Sequence, residues 1–315
     1  MRHHVVRRLL SAGVTVLILS VVVFGSIELI PSDAVDIMLG LRRTEESAAA
    51  LRHKLGLDLP PAVRYVRWLG GVLRGSLGTS LVTEEPVADS IRQRLPVTAQ
   101  LALLATLIGV AIGVPSGLLS ATRRYSVIDH ISTIGSTIGV SVPDFWLATL
   151  LILVLSVKWR VLPLGGLLPS GLEDPVGYLK RMIMPAVSLG LPSAAVYFRM
   201  TRSAMLEVIH TEYITTAYGK GLSERRVIVG HALKNALIPV VTAAGLELTW
   251  MVGGSFIIES IFALPGLGRV TLQAIFQRDY TMIQGCLLVY SVVVVTLSIG
   301  MDLVYAWLDP RIRYV

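Results

Sequence analysis

The stretch LPVTAQLALLATLIGVAIGVPSGLLSAT, residues 95–122, runs 28 residues without a charged side chain. A bilayer core of about 30 Å is crossed by roughly 20 apolar residues in a helix. Backbone groups in lipid have no water to bond, so such a segment satisfies them internally, as a helix. Outward from it, five more stretches share this character. Residues 9–27 (19 residues), 182–198 (17) and 281–301 (21) carry no charge. Residues 131–157 (27) are interrupted only by Asp144, and residues 236–258 (23) only by Glu247. Charged residues are 16% of the 315-residue chain, against about 25% in soluble domains. Buried helices of soluble proteins rarely stay charge-free beyond about 14 residues. The expectation is an all-α integral membrane protein with six transmembrane helices.

Arg7 and Arg8 precede the first stretch, as they would in a secretory signal. Its 19 apolar residues exceed the usual h-region of about 7–15. Ser32 and Ala34 make a weak cleavage site, so a retained anchor is expected. The one cysteine, Cys286, lies inside the last stretch and can form neither a disulfide framework nor a cysteine metal site.

The net charge of +7 reads as topology rather than as affinity for nucleic acid. Six spans place both termini on one side. With the termini inside, cytoplasmic segments hold thirteen Lys and Arg: Arg2, Arg7, Arg8, Arg123, Arg124, Arg199, Arg202, Lys220, Arg225, Arg226, Lys234, Arg311 and Arg313. The two short outer loops hold six, and the long first outer loop nine. Long loops escape the positive-inside rule, so the comparison favours cytoplasmic termini in a plasma membrane. The organisation expected is a first helix within residues 1–30, an extracytoplasmic loop domain at 31–95, a five-helix core at 96–305 and a tail at 306–315.

The 31–95 loop is too long to be structureless. Thr44 can cap a helix that Glu45 and Glu46 favour and Gly56 ends. Pro60 and Pro61 break the chain, residues 63–73 have helical periodicity, and Gly75 to Ser80 reads as a turn or short strand. Nine basic and eight acidic residues leave the loop nearly neutral. It reads either as a solvated cap or as a docking face for a soluble partner.

The second informative loop, residues 202–235, is cytoplasmic in this topology. Ile214, Tyr218 and Leu222 recur every fourth residue, giving a short helix one apolar face. Gly219 and Gly221 give a stop, and Ser223 with Glu224 starts a new helix toward His231 and Asn235. A short amphipathic helix between two spans suits a partner's groove or the membrane surface equally.

Residues Glu212 to Pro239 resemble the cytoplasmic "EAA" loop of ABC importer permeases. Thr215, Thr216 and Ala217 stand where that motif has Glu-Ala-Ala, and Gly221 follows at its spacing. The run KGLSERR at 220–226 and HALKNALIP at 231–239 are similar to the peptide and nickel subfamily. So are RGSLGTS at 74–80, SVPDFW at 141–146 and ESIFALPGLG at 259–268. The long first loop resembles the DppB/OppB type, the first of two permeases. The chain departs from the motif at Thr215, where an acid is usual, and at Lys234, where the usual proline arrives only at Pro239. Asp144 and Glu247 look particular to this chain.

The resemblance implies the type I importer permease fold. It implies a heterodimer with a second permease, two cytoplasmic ATPases that bind ATP and Mg, and an extracytoplasmic binding protein that delivers short peptides. Coupling to the ATPases would fall to Glu212, Tyr213, Ile214, Thr215, Thr216, Ala217, Tyr218, Gly221, Leu222, Ser223 and Arg225. Ser76, Leu77 and Gly78, with Pro265, Gly266, Leu267 and Gly268, would dock the binding protein. Asp144 and Glu247 would line the path or hold the bundle together, since a charge at mid-bilayer costs at least about 2.5–3.5 kcal/mol.

No ATP site is expected in the chain itself. A phosphate loop ending at Lys220 needs glycine at Ile214 and Ser or Thr at Gly221. The chain is therefore expected to be no enzyme and to bind no cofactor or metal. The alternatives are the same architecture for nickel or another small solute, a secondary transporter or channel, and a membrane enzyme. Only two acids lie deep in spans and no internal repeat supports a secondary transporter. No His-Glu-x-x-His motif supports an enzyme.

Overall fold

The structure, a computed structural model, describes residues 2–29, 44–55, 58–168 and 173–308. Ser32, Ala34, Gly56, Arg311 and Arg313 lie outside the described residues. The helices are α1 (Arg2–Glu28), α2 (Glu45–Leu55), α3 (Pro61–Leu73), α4 (Val87–Thr122), α5 (Val127–Ser141) and α6 (Asp144–Leu151). They continue as α7 (Pro175–Ile209), α8 (Glu212–Gly219), α9 (Leu233–Gly254), α10 (Phe256–Ile261), α11 (Leu267–Gln277) and α12 (Tyr280–Leu308). Two π-helical stretches extend α6 at Ile152–Lys158 and lead into α9 at Arg226–Ala232. Among the described residues there is no strand, only a bridge between Thr79 and Pro86.

All six charge-poor stretches are helical apart from short breaks at Val142-Pro143 and Ser255, so the expected all-α membrane class is what is found. Among the described residues four helices are long and apolar enough to cross a bilayer: α1, α4, α12 and α9 with its lead-in. A fifth crossing is present if α5 and α6 count as one span. That span is not straight. It bends by 100° at Val142-Pro143, because proline pushes the residue before it out of helical geometry, and Val142 sits at φ −84°, ψ 120°. Residues 182–198 occupy the middle of α7, which is longer than a bilayer crossing and carries Lys180, Arg181, Arg199 and Arg202 toward its ends. Much of α7 is buried in protein, including Ser188, Ser193 and Thr201. A helix enclosed by protein has no need of a lipid-grade surface.

The chain divides into two compact units, residues 1–97 with 266–299 and residues 98–265 with 300–315. In the first unit, Val87 and Ile91 of α4 pack with Leu267, Val270 and Ala274 of α11 and with Tyr280, Ile283 and Cys286 of α12. Asp279 is its polar hub. The buried carboxylate accepts bonds from the Ser80 hydroxyl, from Leu81 N at 3.2 Å and from Met282 N at 3.1 Å. The 75–80 segment is therefore a built turn, with Gly75 and Gly78 at φ +83° and +86°. The α2 cap forms as expected, Thr44 Oγ1 accepting from Ser47 N at 3.1 Å while Ser47 Oγ accepts from Thr44 N at 3.0 Å.

In the second unit α7 is central, with α5, α6 and α9 packed on it. Helix α4 meets α7 through Gly109, Gly113 and Gly117, one residue per turn along one face. A Cβ at Gly109 would stand 2.8 Å from Tyr197 Cε2, and one at Gly117 2.7 Å from the Phe198 carbonyl. At Gly113 it would collide with the Ala194 carbonyl. Small residues at this spacing let two helix backbones touch in lipid. Toward the end of α7, Arg202 holds the buried Asp129 of α5 by Nε to Oδ1 at 2.8 Å and Nη2 to Oδ2 at 3.0 Å. Arg202, counted as a topological charge, is thus also a structural one.

Candidate functional site

Helix α8 lies between α7 and α9 in the chain, and its length follows from its ends. Thr211, at φ −81°, ψ 150°, starts it, Glu212 sits in the first turn, and Lys220 closes it. Gly221 then turns the chain at φ +75°. That left-handed conformation is the usual C-terminal stop and is strained for any residue with a Cβ. A Cβ on Gly221 meets nothing within 4 Å. The glycine is needed for conformation, not for packing inside this chain. The next helix begins at Glu224, with the Ser223 carbonyl accepting from Arg226 N and Val227 N at 2.9 and 3.0 Å.

The buried face of α8 differs from the expected one. Ile214 and Ala217 are inside, packed with Ala121, Met205, Val227, Ala232 and Ala236, and Leu222 lies against the same cluster. Tyr218 is turned outward and 43% exposed. The every-fourth-residue pattern puts Tyr218 on the Ile214 face, but Ala217 takes the inward position, and Leu222 reaches the same cluster from beyond the helix, which ends at Gly219. The inward pair is i, i+3, one of the two helical spacings that share a face. Glu212, Tyr213, Thr215, Thr216, Tyr218, Ser223 and Arg225 are exposed. One side chain ties the exposed face back to the bundle, Asn235 Nδ2 donating to Tyr213 Oη at 2.7 Å.

The two span acids share one cleft. It measures about 320 Å³ and is lined by Val140, Val142 and Asp144 at the α5–α6 bend, Leu189, Pro192, Ser193 and Val196 of α7, and Glu247 and Trp250 of α9. Glu247 is half-buried and accepts a hydrogen bond from Ser193 Oγ at 3.0 Å. Asp144, at the first turn of α6, accepts from Phe145 N at 2.7 Å. Tyr197 Oη is buried with no hydrogen-bond partner among the described residues, within electrostatic range of Glu247. Two carboxylates, one of them engaged with a hydroxyl on another helix, leave lone pairs for a cationic donor. Among the described residues no three His, Cys, Asp or Glu side chains gather as a metal site.

The segments expected to dock a soluble partner are unequal. Ser76 and Gly78 are exposed and Leu77 is half-buried against the first unit's core. Gly266, Leu267 and Gly268 are buried, and Pro265 is half-buried. Leu267 opens α11 and fills the core instead of presenting a surface. Sequence reasoning missed the Asp279 hub and the α4 glycine face. The Gly109, Gly113, Gly117 spacing was visible in the sequence, whereas nothing local marks Asp279 as the partner of Ser80.

Residues 113–314 match the family described as binding-protein-dependent transport system inner membrane component. Residues 1–102 match the N-terminal family of binding-protein-dependent transport system membrane components. The oligopeptide transport system permease protein AppB of Bacillus subtilis (strain 168) is 38% identical over 316 residues, covering 100% of both chains. The dipeptide transport system permease protein DppB of Escherichia coli (strain K12) is 36% identical over 337 residues, covering 100% of this chain and 99% of the relative. Among solved structures, the inward-facing MetNI methionine ABC transporter in its CY5 native crystal form aligns with a TM-score of 0.55 at 23% identity. That alignment covers 70% of this chain and 96% of the other. An amino acid ABC transporter crystallised with histidines aligns at 0.53 and 17%, again over 70% of this chain. These likenesses are of fold.

Proposed function

The chain belongs to the binding-protein-dependent transport system inner membrane components, and we propose that it is one permease of an ATP-driven importer of short peptides. The full-length likeness to permeases named for oligopeptide and dipeptide transport supports the substrate class. One observation carries the mechanism. An eight-residue helix, α8, is held by its Ile214 and Ala217 face and offers Tyr213, Thr216 and Tyr218 outward. In this reading α8 faces the cytoplasm and seats in a cleft of a partner ATPase, which binds and hydrolyses ATP. Closure of the ATPases moves α8, and its anchorage on the lead-in to α9 passes the motion into the span that carries Glu247. A second permease completes the path, and a binding protein delivers the peptide, with Ser76 and Gly78 exposed for its docking.

The cleft at the α5–α6 bend then lies on the route. Asp144 and Glu247 attract the ammonium group of a peptide, and the apolar wall of Val140, Leu189 and Trp250 tolerates varied side chains. Such a site binds weakly by design, since a permease that holds its substrate does not turn over. Proteoliposomes containing the chain with its co-expressed partners test the assignment. ATP-dependent uptake of labelled di- and tripeptides supports it, and uptake of nickel or an uncharged solute in place of peptides refutes the substrate class.

A further inference from the structure

Helix α3 carries an apolar stripe that none of the described residues covers. Val63, Val66 and Leu73 are 46%, 68% and 81% exposed. At about 100° per residue they fall, with Gly70 between them, on one face of the helix. The opposite face holds α3 to α1. Tyr65 Oη is 2.8 Å from Ser20 Oγ, Arg64 pairs with Glu28 at 2.9 Å, and Phe24 packs edge-on against Tyr65 and beside Trp68. These partners span nine residues of α1, Ser20 to Glu28, a rise of about 12 Å, but only residues 64 to 68 of α3. Helix α3 therefore crosses α1 instead of running along it.

The level of that crossing matters. Helix α1 is a span whose own surface is apolar and exposed at Leu10, Val14, Leu17, Ile18, Val21 and Val22. That span ends at Glu28, with Phe24 about 6 Å and Ser20 about 12 Å inside it, so the crossing runs from the acyl region up to the headgroups. Tyr and Trp concentrate toward the headgroup end. Exposed Arg67 and Arg74 flank one edge of the α3 stripe, with Leu69 toward the other. A helix with an apolar face, an arginine edge and aromatic anchors suits the plane of an anionic interface.

We propose that α3 lies in the membrane interface, with Val63, Val66 and Leu73 in the acyl boundary and Arg67 and Arg74 on the phosphates of anionic lipids. The role is independent of the transported substrate and of which membrane face α3 occupies. It fixes the loop after α1 to the bilayer surface, giving the turn at residues 75–80 a fixed height. The test uses the full chain, co-expressed with its transporter partners, in nanodiscs of phosphatidylethanolamine and phosphatidylglycerol. Spin labels go on single cysteines at Val66, at Leu73 and, as a water-facing reference, at the exposed Thr83; Cys286 is buried and stays unlabelled. The ratio of collision with oxygen to collision with a water-soluble nickel chelate is expected to be severalfold higher at residues 66 and 73 than at 83. It should fall when phosphatidylcholine replaces phosphatidylglycerol, and fall less in the Arg67→Gln/Arg74→Gln double variant. Equal ratios at 66, 73 and 83 place the stripe in water and overturn the proposal. Protection from both reagents shows a protein partner on the stripe and overturns it too. Indifference to lipid charge overturns the phosphate contact.

Discussion

Asn235 and Tyr213 are bonded across the loop between α8 and α9, Asn235 Nδ2 donating to the Tyr213 hydroxyl at 2.7 Å. Asn235 stands in the first turn of α9, and Glu247 lies twelve residues further along the same helix, about 18 Å away. The hydrophobic face of Ile214 and Ala217 supplies the adhesion of α8, and this hydrogen bond supplies the direction. In the proposed mechanism it is a side-chain link through which a push on the exposed face of α8 would reach the start of the span.

Tyr213→Phe keeps the ring and removes the bond. A partly exposed hydrogen bond is worth about 0.5–1.5 kcal/mol net, so the complex should assemble normally. The expected change is in coupling, with fewer peptides moved per ATP hydrolysed in proteoliposomes. Asn235→Ala should do the same, and the double variant should be no worse than either single, as for two ends of one contact. Additive losses would show that the residues act separately.

Gly221 and Gly219 should respond differently to the same change. Gly221 stands at φ +75°, Gly219 does not, and both have open space where a Cβ would go. Gly221→Ala forces an L-residue into left-handed backbone at roughly 1–2 kcal/mol and should lower coupled transport. Gly221→Asn should be milder, since Asn visits that region. Gly219→Ala should be neutral or slightly stabilising, because alanine is the better helix former. Equal effects at both positions would mean that bulk against a partner, not backbone geometry, is what Gly221 avoids.

The helices were legible because each charge-poor run is long enough to force helix in lipid. The 131–157 run was legible as a membrane segment but not as a bent one. Its 100° turn follows from Val142-Pro143, and a proline fixes where a helix breaks without fixing how far it turns. The α8 segment was legible from its glycines and length, yet the side it buries was not. Ile214 and Ala217 face in because Ala121, Met205 and Val227 close around them, contacts made by residues distant in sequence. Gly266, Leu267 and Gly268 were expected to dock a binding protein, and instead they are buried, Leu267 in the core that α11 joins.

Asp144→Asn and Glu247→Gln separate a path role from a packing role. Glu247 is bonded to Ser193 at 3.0 Å, and the amide of Gln can keep that bond. The path reading predicts normal assembly and ATPase activity, with uptake shifted away from peptides of positive charge. The effect should be largest in the double variant, because both acids line one cleft. Poor assembly of the single variants would make the acids scaffold, and unchanged peptide preference would remove them from the route.

The central claim is that the exposed face of α8 sits on an ATPase subunit. Ala217 and Leu222 are poor reporters, the first buried and the second half-buried, whereas Thr216 and Tyr218 are exposed. Single cysteines at Thr216 and Tyr218, paired with a panel of cysteines around the groove of the co-purified ATPase, should form disulfides under mild oxidation, and the yield should change when ATP binds. Cysteines at Ile214 and Ala217 should not cross-link. Failure of residues 216 and 218 to cross-link in a complex that still hydrolyses ATP and transports peptide would contradict the account.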